Sequence, residues 1–197
     1  MLFNQSQKPY IVYFILITNT LLFSSTELFG GSTNSSVLVN FGALYSLYVS
    51  EGQYWRLLTA MFLHAGFFHF ALNSLSILIM GSLAESILGH KKFLFIYIFS
   101  GITASIISLT FLPSYAVAIG ASGAIFGTLA AIGVYYFFYR KQLGEFGKQN
   151  FNAILILAFV NLAFGFMGSG VDNWGHIGGL IGGIISGVLV IPKYTRK

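Results

Sequence analysis

The chain has 197 residues, of which 56% are hydrophobic and only 8% are charged. An ordinary globular domain has about 25% charged residues, so this composition excludes a water-soluble surface and predicts a protein that lies in a lipid bilayer. The chain has no cysteine, which excludes disulfides and thiolate metal sites. The length predicts one domain, 1–197, and the net charge of +5 is informative mainly through its distribution.

Six apolar stretches each approach the ~20 residues that cross a bilayer. They lie at about 9–28, 67–88, 92–112, 116–138, 150–168 and 174–192. Backbone groups in lipid must be satisfied internally, and these continuous runs lack the alternation of barrel strands, so we expect helices. The first run follows Lys8 as in a signal peptide, but it is long enough to span and we expect it to be retained. The predicted fold is an all-α bundle of six transmembrane helices.

The basic residues predict the orientation of this bundle. Nine of the ten fall at one end of the spans, namely Lys8, Lys91, Lys92, Arg140, Lys141, Lys148, Lys193, Arg196 and Lys197. The positive-inside rule makes that side cytoplasmic, together with both termini and the polar loop 139–149. The outer loops are then 29–66, 113–115 and 169–173. Aromatic and apolar residues in the second half of 29–66 predict short helices packed in the interface.

Two side chains of the second span, His69 and Asn73, are four residues apart and share one helix face. Both can donate a hydrogen bond toward one point, as an oxyanion pocket requires. His64 is about 140° away from His69 on a helix, so we expect it in the preceding loop. Near the other end of this span, we expect Glu85 to bond a neighbouring loop or to pair with Lys91 or Lys92.

Ser122 lies in the sequence Gly120-Ala121-Ser122-Gly123, near the start of the fourth span. A helix start offers unpaired N–H groups and a partial positive potential, and both stabilise an oxyanion formed when a serine attacks a carbonyl. Gly120 and Gly123 allow close approach of a substrate. The alternative is that Ser122 is a helix cap and the glycines are packing notches.

His176 begins the sixth span and is followed by Gly179, Gly183 and Gly187. Small residues four apart allow another helix to come close, and the fourth span offers a matching face. Such packing would bring His176 within reach of Ser122 as a general base. Asp172 could orient the imidazole, but we favour its role as a helix cap and therefore a dyad over a triad.

Other polar residues have structural interpretations. A metal site made by His64, His69 and His176 is disfavoured because zinc prefers compact spacing and a carboxylate or thiolate. We interpret buried polar side chains elsewhere in the spans as interhelical hydrogen-bond partners. These are Asn19, Asn161, Ser100, Ser105 and Ser108.

Taken together, the polar motifs resemble the rhomboid family of intramembrane serine proteases. They are Trp55-Arg56, the H-x4-H-x3-N run from His64 to Asn73, G-x3-E-x3-G from Gly81 to Gly89, G-A-S-G at 120–123, and His176 with Gly179 and Gly183. They follow the family order over about residues 50 to 192. The resemblance implies a six-helix core with a large outer loop between the first two helices.

The resemblance also implies roles. Ser122 would be the nucleophile and His176 the base, with His69, Asn73 and the Ser122 amide as the oxyanion hole. Phe126 falls where the family often has a tyrosine stacked on the histidine, and it keeps the stack without the hydroxyl. The fifth span and the loop around 168–173 would move to admit a substrate.

The expected substrates are transmembrane segments of other proteins, cleaved near the outer leaflet, with the bilayer as the other partner. We expect no cofactor, no metal and no nucleic-acid partner, and the oligomeric state is left open. The rival hypotheses are a pseudoprotease, which would lack Ser122 or His176, and a small transporter, which would need ion-coordinating groups at mid-membrane. The simple architecture favours a bacterial inner membrane.

Overall fold

The computed structural model describes residues 8–167 and 170–192. Its helices are α1 (Tyr10–Leu28), α2 (Ser35–Asn40), α3 (Ser46–Ser50), α4 (Arg56–Thr59), α5 (Gly66–Ser76), α6 (Ser82–Leu88), α7 (His90–Phe111), α8 (Ser122–Met167) and α9 (Asn173–Val190). Two short strands, β1 (Leu44–Tyr45) and β2 (Val117–Ala118), pair with each other. A 3₁₀ turn at Ala60–Phe62 follows α4, and a π-helical turn at Ile77–Gly81 joins α5 to α6. Three of the basic residues used to predict the orientation, Lys193, Arg196 and Lys197, lie outside the described residues.

Among the described residues, five helices are long and apolar enough to cross a membrane: α1, the continuous helix Gly66–Leu88, α7, α8 and α9. The protein is thus an all-α, multi-pass membrane bundle. At about 1.5 Å per residue, the 46 residues of α8 would be more than twice as long as a bilayer core is thick. Gly144, with φ 57° and ψ −136°, breaks α8 into the halves 122–143 and 145–167. The count of six spans remains a prediction.

The connections around α8 differ from the prediction at two places. The loop predicted at 139–149 is wrong, because these residues are helical on both sides of Gly144. The fourth span begins at Ser122 rather than at 116, since Val117 and Ala118 form β2 instead of the first helical turn. A short apolar run fits a buried strand as well as a helix, and hydrophobic periodicity cannot separate the two.

The core of the bundle is the three-helix contact of α7, α8 and α9. Glycines bring α8 and α9 together: a Cβ on Gly179 would overlap the carbonyl oxygen of Gly123, and one on Gly183 would overlap that of Gly127. Between helices in lipid, close van der Waals packing replaces the hydrophobic effect as the source of association. The glycine face of α9 therefore fixes the position of its first turn, which carries His176, against the first turn of α8, which carries Ser122.

The segment between α1 and α5 forms a small layer of short helices, as the sequence predicts, and β1 within it pairs antiparallel with β2. Arg56 holds this layer together: its guanidinium donates to the carbonyl oxygens of Val39 and Ala43 at 2.7 and 2.9 Å. The Gly120 N–H donates to the carbonyl of Ala60 at 3.0 Å. The layer thereby anchors the chain immediately before Ser122.

Glu85, at the far end of the Gly66–Leu88 helix, is 1% exposed and does not pair with Lys91 or Lys92. Its two carboxylate oxygens accept the N–H groups of Ile11 and Val12 at 2.9 and 3.0 Å. These donors belong to the first turn of α1, where no intrahelical acceptor exists. The carboxylate also contacts His90. The lysine pairing considered from the sequence is wrong because the free N–H groups of α1 are the nearer partners.

Candidate active site

Ser122 and His176 lie together although they are 54 residues apart in the chain. The Nε2 atom of His176 is 2.9 Å from the Oγ atom of Ser122, which is a hydrogen-bond distance. Ser122 is the first residue of α8, and His176 is in the first turn of α9. The contact follows from the glycine packing of these two helices, which brings both first turns to the same end of the bundle.

The imidazole of His176 is held by its ring face rather than by a second hydrogen bond. The ring of Phe126 stacks on it with centroids 4.3 Å apart and planes 21° apart. The Nδ1 atom of His176 has no hydrogen-bond partner within residues 8–167 and 170–192. The expected stack with Phe126 is therefore present in the geometry, and no carboxylate bonds the imidazole.

Asp172 instead caps α9 and ties it to α7. Its Oδ1 accepts the N–H of Gly175 at 2.8 Å, and its Oδ2 accepts the hydroxyl of Ser108 at 2.6 Å. This is the cap geometry favoured from the sequence, in which the side chain satisfies a first-turn N–H. The bond to Ser108 is an addition that the sequence did not specify, and it fixes the helix that carries His176.

The imidazole of His69 packs against Gly120, in the loop that leads into Ser122 and α8. A Cβ on Gly120, whose φ is +117°, would be 2.8 Å from Cε1 and Nε2 of His69 and 3.9 Å from Oγ of Ser122. A glycine at 120 therefore makes room for the imidazole beside the serine. The Nδ1 of His69 accepts the Ala65 N–H at 3.3 Å. This assigns the ring proton to Nε2, the atom that faces Gly120.

Asn73 lies one helical turn after His69 and lines the same cavity as Ser122 and His176. Its amide nitrogen donates to the carbonyl oxygen of His69 at 2.9 Å, which uses one of its two N–H groups. The second N–H is available to a bound group. First-turn N–H groups of α8 have no intrahelical acceptor and add further donors at Ser122.

Two cavities meet at the pair. The larger has a volume of about 320 Å³ and lies between α5 and the two halves of α8, with Asn73, Ser122, Phe126, Asn161 and His176 on its wall. The smaller, of about 30 Å³, lies on the side of Asp172 and is lined by Ser105, Ser108, Ser122, Asp172 and His176 among others. A volume of this size accommodates a single water molecule with several polar partners.

Other predicted site residues lie around this centre. His64 is in the loop before α5, 1% exposed, with its ring edge-on to that of His69 at 5.2 Å. Burial, with a smaller contribution from His69, lowers the pKa of His64 to about 3. Trp55 and Arg56 support the layer before α5 and do not line either cavity. Within the part of the chain that the structure describes, no three His, Cys, Asp or Glu side chains could hold a metal ion.

The polar residues expected to bridge helices behave in three ways. Ser108 bonds Asp172 as a partner between α7 and the start of α9. Asn19 and Ser100 are fully buried, yet their side-chain polar atoms have no partner among residues 8–167 and 170–192. Asn161 bonds its own helix and lines the larger cavity, so the interhelical interpretation is wrong for Asn19, Ser100 and Asn161. Ser105 lines the smaller cavity. An asparagine within an apolar run indicates that a polar side chain is needed at that position. The sequence does not show whether that side chain faces another helix or a cavity.

Comparison with known proteins decides the family. Residues 51–193 match the Rhomboid domain. The chain belongs to the rhomboid family. It is 43% identical over 190 residues to the rhomboid protease GluP of Bacillus subtilis (strain 168), an alignment that covers 96% of this chain and 36% of GluP. It is 37% identical over 155 residues to YdcA of the same strain, covering 78% of this chain and 75% of YdcA.

Similar rhomboid proteins occur in plants. RHOMBOID-like protein 2 of Arabidopsis thaliana is 38% identical over 170 residues, covering 85% of this chain and 52% of that protein. The chain thus spans about a third of the length of GluP and about half that of this plant protein. The matched region includes all the residues of the candidate site, from His64 to His176.

Proposed function

We propose that this chain is an intramembrane serine endopeptidase that cleaves transmembrane segments of other membrane proteins with a dyad of Ser122 and His176. The observation that carries the proposal is the 2.9 Å distance between Nε2 of His176 and Oγ of Ser122. A serine hydroxyl and an imidazole at this distance are within proton-transfer reach, which supports their proposed roles as nucleophile and base. The family membership supports the same activity.

In the first half of the reaction, Oγ of Ser122 attacks the scissile carbonyl carbon while Nε2 of His176 takes the hydroxyl proton. The carbonyl oxygen becomes an oxyanion, which would be stabilised by the Ser122 amide, the Nε2–H of His69 and the free N–H of Asn73. The tetrahedral intermediate then collapses, the C–N bond breaks, and the imidazolium gives its proton to the leaving amine. The product is an acyl ester on Ser122.

In the second half, a water molecule attacks the ester carbon and gives its proton to His176. The second tetrahedral intermediate releases the carboxylic acid and returns the proton to Oγ of Ser122. The small cavity beside Asp172 and Ser108 has the size of one water and borders both reacting residues, so we assign the hydrolytic water to it. These reaction steps need no metal and no cofactor.

The substrate must unwind before it can react, because the carbonyl groups of a transmembrane helix are hydrogen-bonded and shielded. Segments with small or helix-breaking residues near the outer leaflet should therefore be preferred. The positive-inside rule puts both termini in the cytoplasm and the Ser122 end at the outer side, in a bacterial inner membrane by our proposal.

The direct test is cleavage of a model transmembrane substrate by the purified chain in detergent or in proteoliposomes. The chain should cleave it, and Ser122→Ala should abolish cleavage while its thermal midpoint of unfolding stays close to that of the unmodified chain. Equal cleavage by the two proteins would exclude Ser122 as the nucleophile. A chain that cleaves no such substrate would favour a binding protein of the same fold.

A further inference from the structure

Asn161 lies on the half of α8 that faces the candidate active site across the larger cavity. It is an exposed residue in an apolar run, and it lines the cavity together with Asn73, Ser122 and His176. None of the proposed catalytic steps uses it. A polar amide on an otherwise apolar helix face is costly in lipid, so its position on this wall calls for a partner.

The depth of Asn161 in the bundle matches that of His176. A Cβ on Gly165 would overlap the side chain of Asn173, so the end of α8 and the start of α9 are in contact there. Asn161 is four residues before Gly165, and His176 is three residues after Asn173. Each residue is therefore about one helical turn, ~5 Å, inward from the same contact.

The hydrogen bonds of Asn161 leave an acceptor free. Its amide nitrogen donates to the carbonyl oxygen of Leu157 at 2.8 Å, and no described residue donates to its Oδ1. Ser76, on the opposite wall, also spends its hydroxyl proton within its own helix, on the carbonyl of Leu72 at 2.8 Å. Both walls therefore offer acceptors, whereas the remaining lining is mainly aliphatic.

The remaining residues of the cavity wall indicate which kind of ligand these acceptors would bind. It consists of Leu72, Leu75, Ile79, Met80, Ile125, Leu129 and Leu157 together with the residues already named. An apolar side-chain surface suits a transmembrane segment. Once that segment unwinds, its freed N–H groups need acceptors that lipid cannot supply, and each unmet group costs several kcal/mol.

We propose that Asn161 is a substrate-binding residue whose Oδ1 accepts a backbone N–H of the unwound substrate beside the scissile bond. This inference rests on the proposed proteolytic function and specifies the substrate feature that the cavity wall recognises, namely main chain rather than a side chain. Binding of main chain permits many substrate sequences, provided that they can unwind.

The test compares Asn161→Leu with a matched control, Asn150→Leu. Asn150 makes the same kind of bond, from its amide to the carbonyl of Phe146 at 2.8 Å, on the same half of α8 but away from the cavity. The substrate is a synthetic transmembrane peptide and a set of variants in which one amide N–H near the scissile bond is replaced by an ester oxygen. Labelling of Ser122 by a small fluorophosphonate, which needs no unwound chain, serves as the reference reaction.

Asn161→Leu should lower kcat/KM for the peptide about three- to tenfold, the range for one hydrogen bond in this setting. Asn150→Leu should not, and fluorophosphonate labelling should stay within about twofold in both variants. At one position of the peptide, replacing the N–H by an ester oxygen should lower kcat/KM of the unmodified chain by a similar factor. The same replacement should have no further effect on kcat/KM of Asn161→Leu. Such coupling is not expected from a change in helix packing.

Unchanged kcat/KM in Asn161→Leu would overturn the proposal, and so would the absence of coupling at every ester position. Loss of labelling in parallel with cleavage would also overturn it, because the substitution would then act on the dyad or the fold. If the unmodified chain and Asn150→Leu neither cleave nor become labelled, the proposed function itself fails.

Discussion

The two ends of the Gly66–Leu88 helix use polar side chains in opposite ways. At the Glu85 end, both oxygens of a fully buried carboxylate accept main-chain N–H groups of α1, and His90 contacts the same group. At the end that carries His69 and Asn73, the helix borders a cavity lined by polar atoms that keep unused hydrogen-bonding capacity.

The spare capacity is specific. Within the described residues, Nδ1 of His176 has no partner, and the buried Asn73 spends only one N–H, on its own helix. Buried polar groups without partners are expensive, so a stable protein satisfies them wherever it can. The contrast indicates that the Glu85 end is built for stability, whereas the Ser122 end gives up some stability and, under the proposed function, leaves these groups free for a substrate.

The largest effect on stability should come from removing the carboxylate at the Glu85 end of the Gly66–Leu88 helix. Glu85→Ala leaves two first-turn N–H groups of α1 without their acceptor, and we expect it to cost about 3 kcal/mol or more of unfolding free energy. The specific activity of the molecules that remain folded should change little, because Glu85 is remote from Ser122. Thermal unfolding in detergent, with cleavage normalised to folded protein, measures both quantities.

Glu145→Ala is the matched control, since Glu145 is exposed and should tolerate the change. If Glu85→Ala left the thermal midpoint unchanged, the contrast between the two ends would be wrong. A loss of specific activity without a loss of stability would likewise contradict it.

An intermediate effect is expected where helix packing sets the position of the dyad. Gly179→Ala puts a methyl group into the carbonyl of Gly123, so we expect it to cost about 1–3 kcal/mol by overpacking. It should also lower cleavage, because His176 is one turn away and α9 must shift. Gly187→Ala meets its nearest neighbour at 3.3 Å and should be milder in both respects. Equal effects of the two substitutions would argue against the glycine contact as the feature that holds the dyad.

The smallest effect concerns pH and the loop before α5. Burial lowers the pKa of His64 to about 3, so its imidazole stays neutral in the folded protein. In the unfolded chain the same imidazole takes up a proton below about pH 6.5. Acidification from neutrality to about pH 6, where this proton uptake begins, should therefore lower the thermal midpoint slightly, and stability should be regained as the pH rises. His64→Phe keeps an aromatic ring without a titrating group and should flatten part of this dependence. A slope identical to that of the unmodified chain would show that His64 does not contribute.

Much of the fold could be predicted from local patterns in the sequence. Apolar runs of bilayer length predict the long helices, and glycines four apart predict the face by which α9 meets α8. The four-residue spacing of His69 and Asn73 predicts that they share one face of the helix. These features are local in sequence, so a single chain is sufficient to predict them.

The features that sequence reasoning missed depend on contacts between distant segments. Val117 and Ala118 form a strand because β1 is beside them, which no local pattern shows. Glu85 bonds α1, 73 residues away from Val12, in place of the adjacent lysines. Likewise, Ser108 and Asp172 are paired across 64 residues. Apolar periodicity predicts which residues are buried but does not identify their partners.

The most direct test of the catalytic pair is to map covalent labelling by a fluorophosphonate, using mass spectrometry of the purified full chain. The phosphonyl group should be found on Ser122, and His176→Ala should slow its attachment by at least about a hundredfold, the usual contribution of a general base. Labelling at another serine, or labelling of Ser122 at an undiminished rate in His176→Ala, would contradict the dyad.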